Sequence, residues 1–236
     1  MPLTVAEFVP ETGPASNSFT ARTLTYVTPV PIGTRATVVV VLYTSTGVDA
    51  LAGMISDNGA HTWAQDAGLD GDGSTGGVAI LSTVATTPIT SVTLTPGGSG
   101  NYATWGIGRM SGPCDVDSAQ TGSGTSTAPS PTSPLTASTT DAVALTVIST
   151  RSQSGDQTPP SGHTAIVLQP DNSTDLAGAI AHSPNISSAG TVGATWAIVD
   201  ATQWYFAGVV YKASGGPTAV FIPPPRVTRR MFRRQR

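Results

Sequence analysis

Residues 71–76 carry the spacing G-x-G-x-x-G. In dinucleotide-binding proteins this spacing lets backbone N–H groups and a helix N-terminus contact a pyrophosphate. That chemistry needs a strand before the loop and a helix after it. No apolar spacing of i, i+3, i+4, i+7 follows here, and the carboxylates of Asp70 and Asp72 would repel phosphate. The motif therefore indicates a turn, and we expect no cofactor.

The same segment concentrates three carboxylates, Asp66, Asp70 and Asp72. Carboxylate oxygens are ligands that Ca²⁺ prefers, but an EF-hand loop counted from Asp70 needs a glutamate at its twelfth position and two flanking helices. The twelfth position is Leu81. Two hypotheses remain, a loop ion site of another kind and a solvated acidic loop. We favour the second and predict no metal site.

The histidines His61, His163 and His182 have neither HxH nor HExxH spacing, so we expect them at strand edges or on the surface. No G-x-S-x-G motif marks a nucleophilic serine. A glycosidase would need two carboxylates converging from distant strands, and the only glutamates are Glu7 and Glu11. We predict that the protein is not an enzyme. A hydrolase with paired aspartates is the less favoured alternative.

The charges are divided between the body of the chain and its last eleven residues. Residues 1–225 hold five basic and fourteen acidic residues, a net charge of −9, whereas residues 226–236 hold six arginines. Such a division is typical of a folded body with an interaction tail. An acidic body argues against nucleic acid as a partner of the fold, because phosphate recognition needs a basic surface.

The tail is the segment to which we assign a binding role. Residues 221–225 end in three prolines and favour an extended, polyproline-like backbone. The next eleven residues reach about 36 Å when extended, at ~3.3 Å each. We interpret them as an arm whose apolar side chains dock on a neighbour while its guanidinium groups pair with carboxylates. The alternatives are a disordered basic tag and, less favoured, a tail that binds the phosphates of nucleic acid. The arm residues are Arg226, Arg229, Arg230, Met231, Phe232, Arg233, Arg234 and Arg236.

The composition predicts strands rather than helices to position these residues. Only 11% of the 236 residues are charged, and the chain has 26 Gly and 19 Pro, which suits short strands and tight turns. Cys114 is alone, so no intramolecular disulfide forms. The longest apolar run, residues 37–43, is far shorter than the ~20 residues that span a bilayer. We see no signal peptide at the start and expect a cytosolically made, soluble all-β protein.

Apolar runs and turn residues divide the chain into one domain with flanking segments. Residues 1–33 contain the first strands, residues 34–216 form a single antiparallel β-sandwich or jelly roll, and residues 217–236 form the extended arm. The Ser/Thr/Pro-rich residues 118–140 are interpreted as a surface crossing between two sheets, with a flexible linker as the alternative. Strands are predicted at 34–44, 78–84, 91–95, 102–110, 142–150, 163–168, 176–181, 192–199 and 204–212.

Two local patterns refine this prediction. Asn58-Gly59 between apolar stretches predicts a hairpin turn, because both residues tolerate positive φ. Residues 103–107 and 194–198 share an Ala-Thr-Trp-x-Ile pattern. It is explained equally well by a duplicated half-sandwich and by chance.

The four tryptophans, Trp63, Trp105, Trp196 and Trp204, lie on or beside predicted strands. A strand tryptophan in a sandwich is usually core, although an exposed one can stack on a sugar. We predict core. The run Trp204-Tyr205-Phe206 places consecutive rings on opposite faces of a strand, so we expect at least one of the three near the surface.

Several segments together resemble a β-sandwich family of structural proteins in tailed bacteriophages that infect actinobacteria. They are residues 57–63 (Asp-Asn-Gly-Ala-His-Thr-Trp), 90–95, 106–112, 177–180, 193–196 and 206–210. The resemblance spans roughly residues 34–213. It implies a virion component, either a minor tail protein or a capsid-surface protein, located in the virion and made in the host cytoplasm. It supplies no catalytic residues.

The residues and the resemblance lead to the same leading hypothesis. The chain is expected to be a non-enzymatic virion structural protein that contacts other virion proteins and copies of itself, with the arm as anchor. A carbohydrate-binding module that recognises host-surface glycan is the alternative, and no membrane partner is expected.

Overall fold

The computed structural model describes residues 2–11, 21–43, 51–71, 76–95, 102–151, 157–169 and 177–214. These residues form one four-residue helix, α1 (Leu51–Met54), and fifteen strands. No helix among them is long and apolar enough to cross a membrane. The strands are β1 (Val5–Pro10), β2 (Arg22–Val30), β3 (Arg35–Tyr43), β4 (Ile55–Asp57), β5 (Ala64–Leu69), β6 (Gly77–Val84), β7 (Ile89–Leu94), β8 (Tyr102–Met110), β9 (Cys114–Gly124), β10 (Leu135–Ala137), β11 (Ala142–Thr150), β12 (Thr164–Gln169), β13 (Ala177–His182), β14 (Gly190–Val192) and β15 (Trp204–Ala213).

The strands form two large and two small antiparallel sheets. The large sheets have the orders β1-β8-β3-β6-β5 and β12-β13-β11-β15-β9, and the small ones have the orders β2-β7-β4 and β10-β14. The large sheets pack face to face through one hydrophobic cluster, the inner core. The fold is therefore an all-β sandwich, which confirms the predicted class.

Each large sheet also carries a second apolar face. The first outer core joins β3, β6 and β8 to the sheet β2-β7-β4. The second outer core joins β11, β13 and β15 to β10, β14 and residues 194–198. This layering explains the continuous apolar run in β3, since Val38 and Val40 face the first outer core while Val39 and Val41 face the inner core.

The same layering corrects the expectation for Trp204, Tyr205 and Phe206. All three are buried, because β15 is an interior strand of its sheet with a core on both faces. Trp204 and Phe206 face the second outer core, and Tyr205 faces the inner core. The alternation of faces was right, but it does not bring a ring to the surface when both faces are covered.

The described strands form two repeats whose five-stranded sheets have the same topology. We call residues 5–110 the first repeat and residues 114–213 the second. In order along the chain and in position within the sheet, β1, β3, β5, β6 and β8 correspond to β9, β11, β12, β13 and β15. The pairs β2–β7 and β10–β14 correspond in the same way. Equivalent cross-strand pairs face equivalent cores: Val39↔Ile80 and Val147↔Ile180 the inner core, Val40↔Trp105 and Ile148↔Phe206 the outer cores.

Backbone irregularities recur at equivalent positions. A bulge falls between Gln65 and Ala67 in β5 and between Ala165 and Val167 in β12. The residue leading into the central strand has positive φ in both repeats. The structural repeat of the five strands therefore extends to their irregular steps.

The two residues with equivalent positive φ differ in how they tolerate it. Gly33 has φ 79°, and Asp141 has φ 68°. Glycine adopts this region freely, whereas another residue needs compensation. The Asp141 carboxylate accepts hydrogen bonds from the Leu3 N–H at 2.5 Å and from the Asn185 side-chain amide at 2.7 Å. These bonds tie the N-terminal segment to the second repeat.

The Ala-Thr-Trp pattern noted in the sequence does not mark the duplication. Residues 103–107 lie in β8, whose equivalent is β15, whereas residues 194–198 follow β14 outside the regular strands. The prediction of a strand over 192–199 is wrong for the same segment. This segment pairs irregularly. The Trp196 backbone N–H donates to the Pro129 carbonyl, and Ala197 and Thr158 form an isolated antiparallel β-bridge.

Residues 118–140 do not join the two large sheets, although residues 125–134 connect strand β9 of a large sheet to strand β10 of a small one. Residues 118–124 belong to β9, which pairs along its length with β15, and residues 135–137 form β10. The chain passes from one large sheet to the other at residues 111–113. Small residues here allow close packing, since a Cβ on Gly122 would collide with the backbone oxygen of Ser130.

The predicted Asn58-Gly59 hairpin is also wrong. Strand β4 pairs with β7 in a small sheet, while β5 pairs with β6 in a large one, so the turn connects two layers. Positive φ falls on Ala60, at 54°. The apolar stretches on either side were predicted, but their partners depend on distant strands.

The start of the first repeat, the joint between repeats and the end of the second repeat lie together. The Ser111 N–H donates to the Thr4 carbonyl at 2.9 Å, and the Thr4 N–H donates to the Ser111 hydroxyl at 2.9 Å. The Ser214 N–H donates to the Pro113 carbonyl at 3.0 Å.

Candidate functional site

Two predicted features lie wholly or partly outside the described residues. The arm from Arg226 to Arg236 is outside them, and so are residues 72–75 of the glycine-rich loop. Within the described residues, no group of three or more His, Cys, Asp or Glu side chains is placed to hold a metal ion.

Asp66, one of the three clustered aspartates, belongs to a structural network. Its carboxylate accepts a hydrogen bond from the Tyr211 hydroxyl at 2.6 Å. Arg35 lies over the Tyr211 ring at 5.7 Å and donates to the Cys114 carbonyl at 3.1 Å and the Ser82 hydroxyl at 2.7 Å. Burial, and then the Asp66 charge, raise the pKa of Tyr211 well above its usual value, so the phenol stays protonated. The network ties β5, β9 and β15 together.

His61 belongs to a second network, which we call the Asp57 network, and it is buried, whereas a strand edge or the surface was expected. Its imidazole is 3% exposed, and the Asp57 side chain is fully buried. His61 Nδ1 lies 2.8 Å from Asp57 Oδ1, and Nε2 accepts the Thr86 N–H at 3.0 Å and the Thr87 N–H at 3.2 Å. Because Nε2 is an acceptor, Nδ1 carries the proton and donates to Asp57.

Asp57 receives further donors at both oxygens. The Trp63 indole N–H donates to Oδ2 at 2.8 Å, and the Gly59 N–H donates to Oδ1 at 2.6 Å. Burial pushes the pKa of Asp57 up, but the hydrogen bonds from His61, Trp63 and Gly59 outweigh it, and the net pKa is lowered. This arrangement has the His–Asp pair of a catalytic dyad, and the Thr87 hydroxyl lies 3.5 Å from Nε2. That nitrogen already accepts two backbone N–H groups, and the network fastens β4 to β5.

His163 and His182 lie near each other at the edge of the second repeat. His182 Nδ1 is 2.9 Å from the Ser183 carbonyl. Neither ring nitrogen of His163 is solvent-accessible, and neither has a hydrogen-bond partner within the described part of the chain. Burial lowers the pKa of His163. The Ser161 backbone raises the pKa of His163 in part, and the charge of His182 lowers it further.

A pocket of about 240 Å³ opens beside His163. Its walls combine hydroxyl groups with small apolar surfaces and contain no carboxylate. The lining residues are Ser161, Gly162, His163, Ser183, Pro184, Ile186, Ser188, Ala189, Thr191, Val192 and Gly193. We call it the His163 pocket.

A second depression of about 320 Å³ lies where edge strands β5 and β9 approach each other. Its lining is mostly polar. The residues are Gln65, Asp66, Ala67, Gly68, Ala119, Gln120 and Thr121. We call it the edge groove.

The tryptophans form no exposed platform. Trp63, Trp105, Trp196 and Trp204 are 5% exposed or less, which confirms their assignment to the core. Most of the described carboxylates also accept hydrogen bonds or form ion pairs within the chain. These are Glu7, Glu11, Asp57, Asp66, Asp115, Asp117 and Asp141.

No family model, curated protein or solved structure matches this chain. Sequence reasoning missed both the Asp57 network and the His163 pocket. The signal for the first is the spacing of Asp57, His61 and Trp63, which the predicted hairpin turn does not use. The second had no local signal, because its lining comes from two separate stretches of the chain, 161–163 and 183–193.

Proposed function

We propose that this chain is a non-enzymatic structural protein of a bacteriophage virion, a minor tail or capsid-surface component held in place by its basic arm. The observation that carries the proposal is the charge division, −9 over residues 1–225 against +6 over residues 226–236. An arginine-rich segment of this kind pairs with carboxylates on a neighbouring protein. The neighbours are other virion proteins and copies of this chain.

The described fold supports a scaffolding role. The two repeats share an inner core, and each has an outer core. The polar side chains that could do chemistry hold strands together. The Asp57–His61 pair and the Asp66–Tyr211 pair both join strands. The phage-like segments 57–63, 90–95 and 106–112 fall on a layer-joining turn and on strands β7 and β8. They therefore support the sandwich more directly than the virion role.

The engagement of the carboxylates narrows how the arm can bind. Glu7, Asp117 and Asp141 already accept donors from their own chain. Asp200 is exposed. A neighbouring copy therefore offers carboxylates such as Asp200 rather than its whole acidic complement.

The test compares three forms of the protein by size-exclusion chromatography with light scattering. They are the full chain, residues 1–225, and a full chain with all six tail arginines replaced by lysine. We expect the full chain to associate, the truncation to be monomeric, and the lysine form to associate more weakly and with greater salt sensitivity. The proposal fails when the first two run as identical monomers and the arm stays protease-sensitive in the assembled particle.

A glycan-binding module is the second candidate, and the edge groove favours it. Amide and hydroxyl groups of Gln65, Gln120 and Thr121 are suited to sugar hydroxyls. The four buried tryptophans weigh against stacking on a sugar ring. Glycan-array binding that is lost in Gln120→Ala and kept in Asp200→Asn would favour this candidate over the first.

A further inference from the structure

Asn58 extends the pairing of β4 with β7 by means of its side chain. The backbone register of the two strands ends at Asp57. At the next position, the Asn58 Oδ1 accepts the Thr90 N–H at 2.7 Å and the Ser91 N–H at 3.3 Å. The Asn58 Nδ2 donates to the Pro88 carbonyl at 3.1 Å. Both ends of the side-chain amide are therefore held by backbone groups of β7 and of the residue before it.

The residue after this asparagine gives it a specific reactivity. Asn58-Gly59 is the one Asn-Gly pair in the sequence. Because glycine has no side chain to hinder its backbone nitrogen, this nitrogen can bond to the Asn58 Cγ and close a five-membered succinimide ring. The bond from Cγ to Nδ2 breaks, and the proton of the Gly59 N–H ends on the departing NH₂, which leaves as ammonia. Water then opens the ring to aspartate or isoaspartate, so the net reaction consumes water and releases ammonia.

The fold engages both groups that this ring closure needs. The Gly59 N–H donates to the Asp57 Oδ1 at 2.6 Å. Hydrogen bonds lower the pKa of Asp57 and keep it ionised, so removing the Gly59 proton would place a negative nitrogen beside a negative carboxylate. Attack at the Asn58 Cγ also turns a planar carbon into a tetrahedral one, which moves Oδ1 and Nδ2 out of the plane in which their partners hold them. The native contacts therefore oppose the cyclisation at both the nitrogen and the carbon.

We propose that Asn58 is a deamidation site that the folded turn protects, so that the reaction proceeds only when the turn between β4 and β5 opens. Asn58 is exposed, and water reaches it in the native chain. The protection therefore comes from the hydrogen bonds of Asn58 and Gly59 rather than from burial. The inference is independent of the arm and of the virion role.

Deamidation makes the opening permanent. An aspartate at position 58 faces the Pro88 carbonyl with a second acceptor where the asparagine has a donor. An isoaspartate adds a methylene group to the backbone beside the Asp57 network. Neither product restores the native contacts, so the attachment of the small sheet β2-β7-β4 to β5 weakens as the molecule ages.

The experiment measures deamidation in the full chain by mass spectrometry of the peptide that contains residue 58. One sample is kept native in a mildly alkaline buffer, and another is unfolded in guanidinium chloride at the same pH and temperature. Because only the open turn reacts, the native rate is the unfolded rate multiplied by the fraction of open molecules. A single net hydrogen bond already corresponds to an about tenfold smaller open fraction. We therefore expect the native rate to be lower by at least about tenfold.

Two variants show whether the contacts of the turn provide the protection. Asp57→Ala removes the carboxylate that holds the Gly59 N–H. It should raise the ratio of native to unfolded rate, with tryptophan fluorescence confirming that the variant is folded. Asp200→Ala is the matched control, since it removes an exposed carboxylate and should leave the ratio unchanged.

Hydrogen exchange of the Thr90 amide measures the same opening without a substitution. This amide donates to the Asn58 Oδ1, so its exchange should be slowed to a similar degree as the deamidation. The proposal is overturned when the native chain deamidates at residue 58 as fast as the unfolded chain or faster. It is also overturned when a folded Asp57→Ala chain gives the same ratio as Asp200→Ala, or when the Thr90 amide exchanges without protection.

Discussion

Replacing Asp57 with asparagine tests whether the buried network fastens the small sheet to the large one. The substitution keeps the shape but removes the charge, and it turns one acceptor oxygen into a donor NH₂. Donors surround both oxygens, with His61 and Gly59 at Oδ1 and Trp63 at Oδ2. Either orientation of the amide therefore places its NH₂ against an N–H group.

The expected cost follows from the number of donors affected. A hydrogen bond to a charged group contributes about 1.5–3 kcal/mol, and a buried donor without an acceptor costs about 1–3 kcal/mol. Since the terms are not additive, we expect Asp57→Asn to lower the free energy of unfolding by about 3 kcal/mol. That is a large share of the about 5–15 kcal/mol typical of a domain.

The effect has a defined pH dependence. The native pKa of Asp57 lies below its usual value of 3.8. The stabilisation is therefore fully present above about pH 4 and is lost as the pH falls through the lowered native pKa. The difference between the unaltered chain and Asp57→Asn should be constant from about pH 5 to 7 and should narrow below about pH 4.

Urea unfolding followed by tryptophan fluorescence measures both quantities. Asp200→Asn is the matched control, because Asp200 is exposed and its loss should change stability by less than about 0.5 kcal/mol. An Asp57→Asn chain as stable as the control at neutral pH, or a difference that does not narrow in acid, would refute the role assigned to this network.

Three further outcomes are expected. Gly122→Ala should destabilise the protein by about 1–3 kcal/mol, because the new Cβ meets the Ser130 backbone oxygen. Gly112→Ala is the control, since its Cβ enters open space. Equal stabilities of the two variants in urea unfolding would contradict the close packing at Gly122 and favour the flexible-linker alternative. Leu145→Ala in the inner core should cost about 2–5 kcal/mol and keep one calorimetric transition, since both repeats build that core, and separate melting of the repeats would contradict it. Burial raises the pKa of Cys114 to about 12, so a thiol reagent at pH 8 should label it only after unfolding, and rapid labelling of the native chain would contradict its burial.

The sequence predicted the parts of the fold that depend on local composition. The β-branched run of β3 is buried on both faces, and the tryptophans are core, because apolar side chains leave water wherever they fall in the topology. Residues 118–124 were missed as a strand, because this segment contains Gly and Ala, which are depleted in strands, and β9 is stabilised by its pairing with β15.

The candidate sites were harder to predict than the strands. The Asp57 turn connects two layers because β4 and β5 find partners in different sheets, and no local residue encodes that choice. The His163 pocket is lined by residues from 161–163 and from 183–193, which only the fold brings together. The arm from Arg226 lies outside the described residues, and its role stays a prediction.

The closeness of Thr4, Ser111, Pro113 and Ser214 has a consequence for chain connectivity. A circular permutant that begins at Cys114, runs through the second repeat and continues by a short linker into the first would need to form no new strand pairing. The order in which the two repeats are translated is then interchangeable, and the architecture belongs to the pair of repeats rather than to the direction in which they are joined.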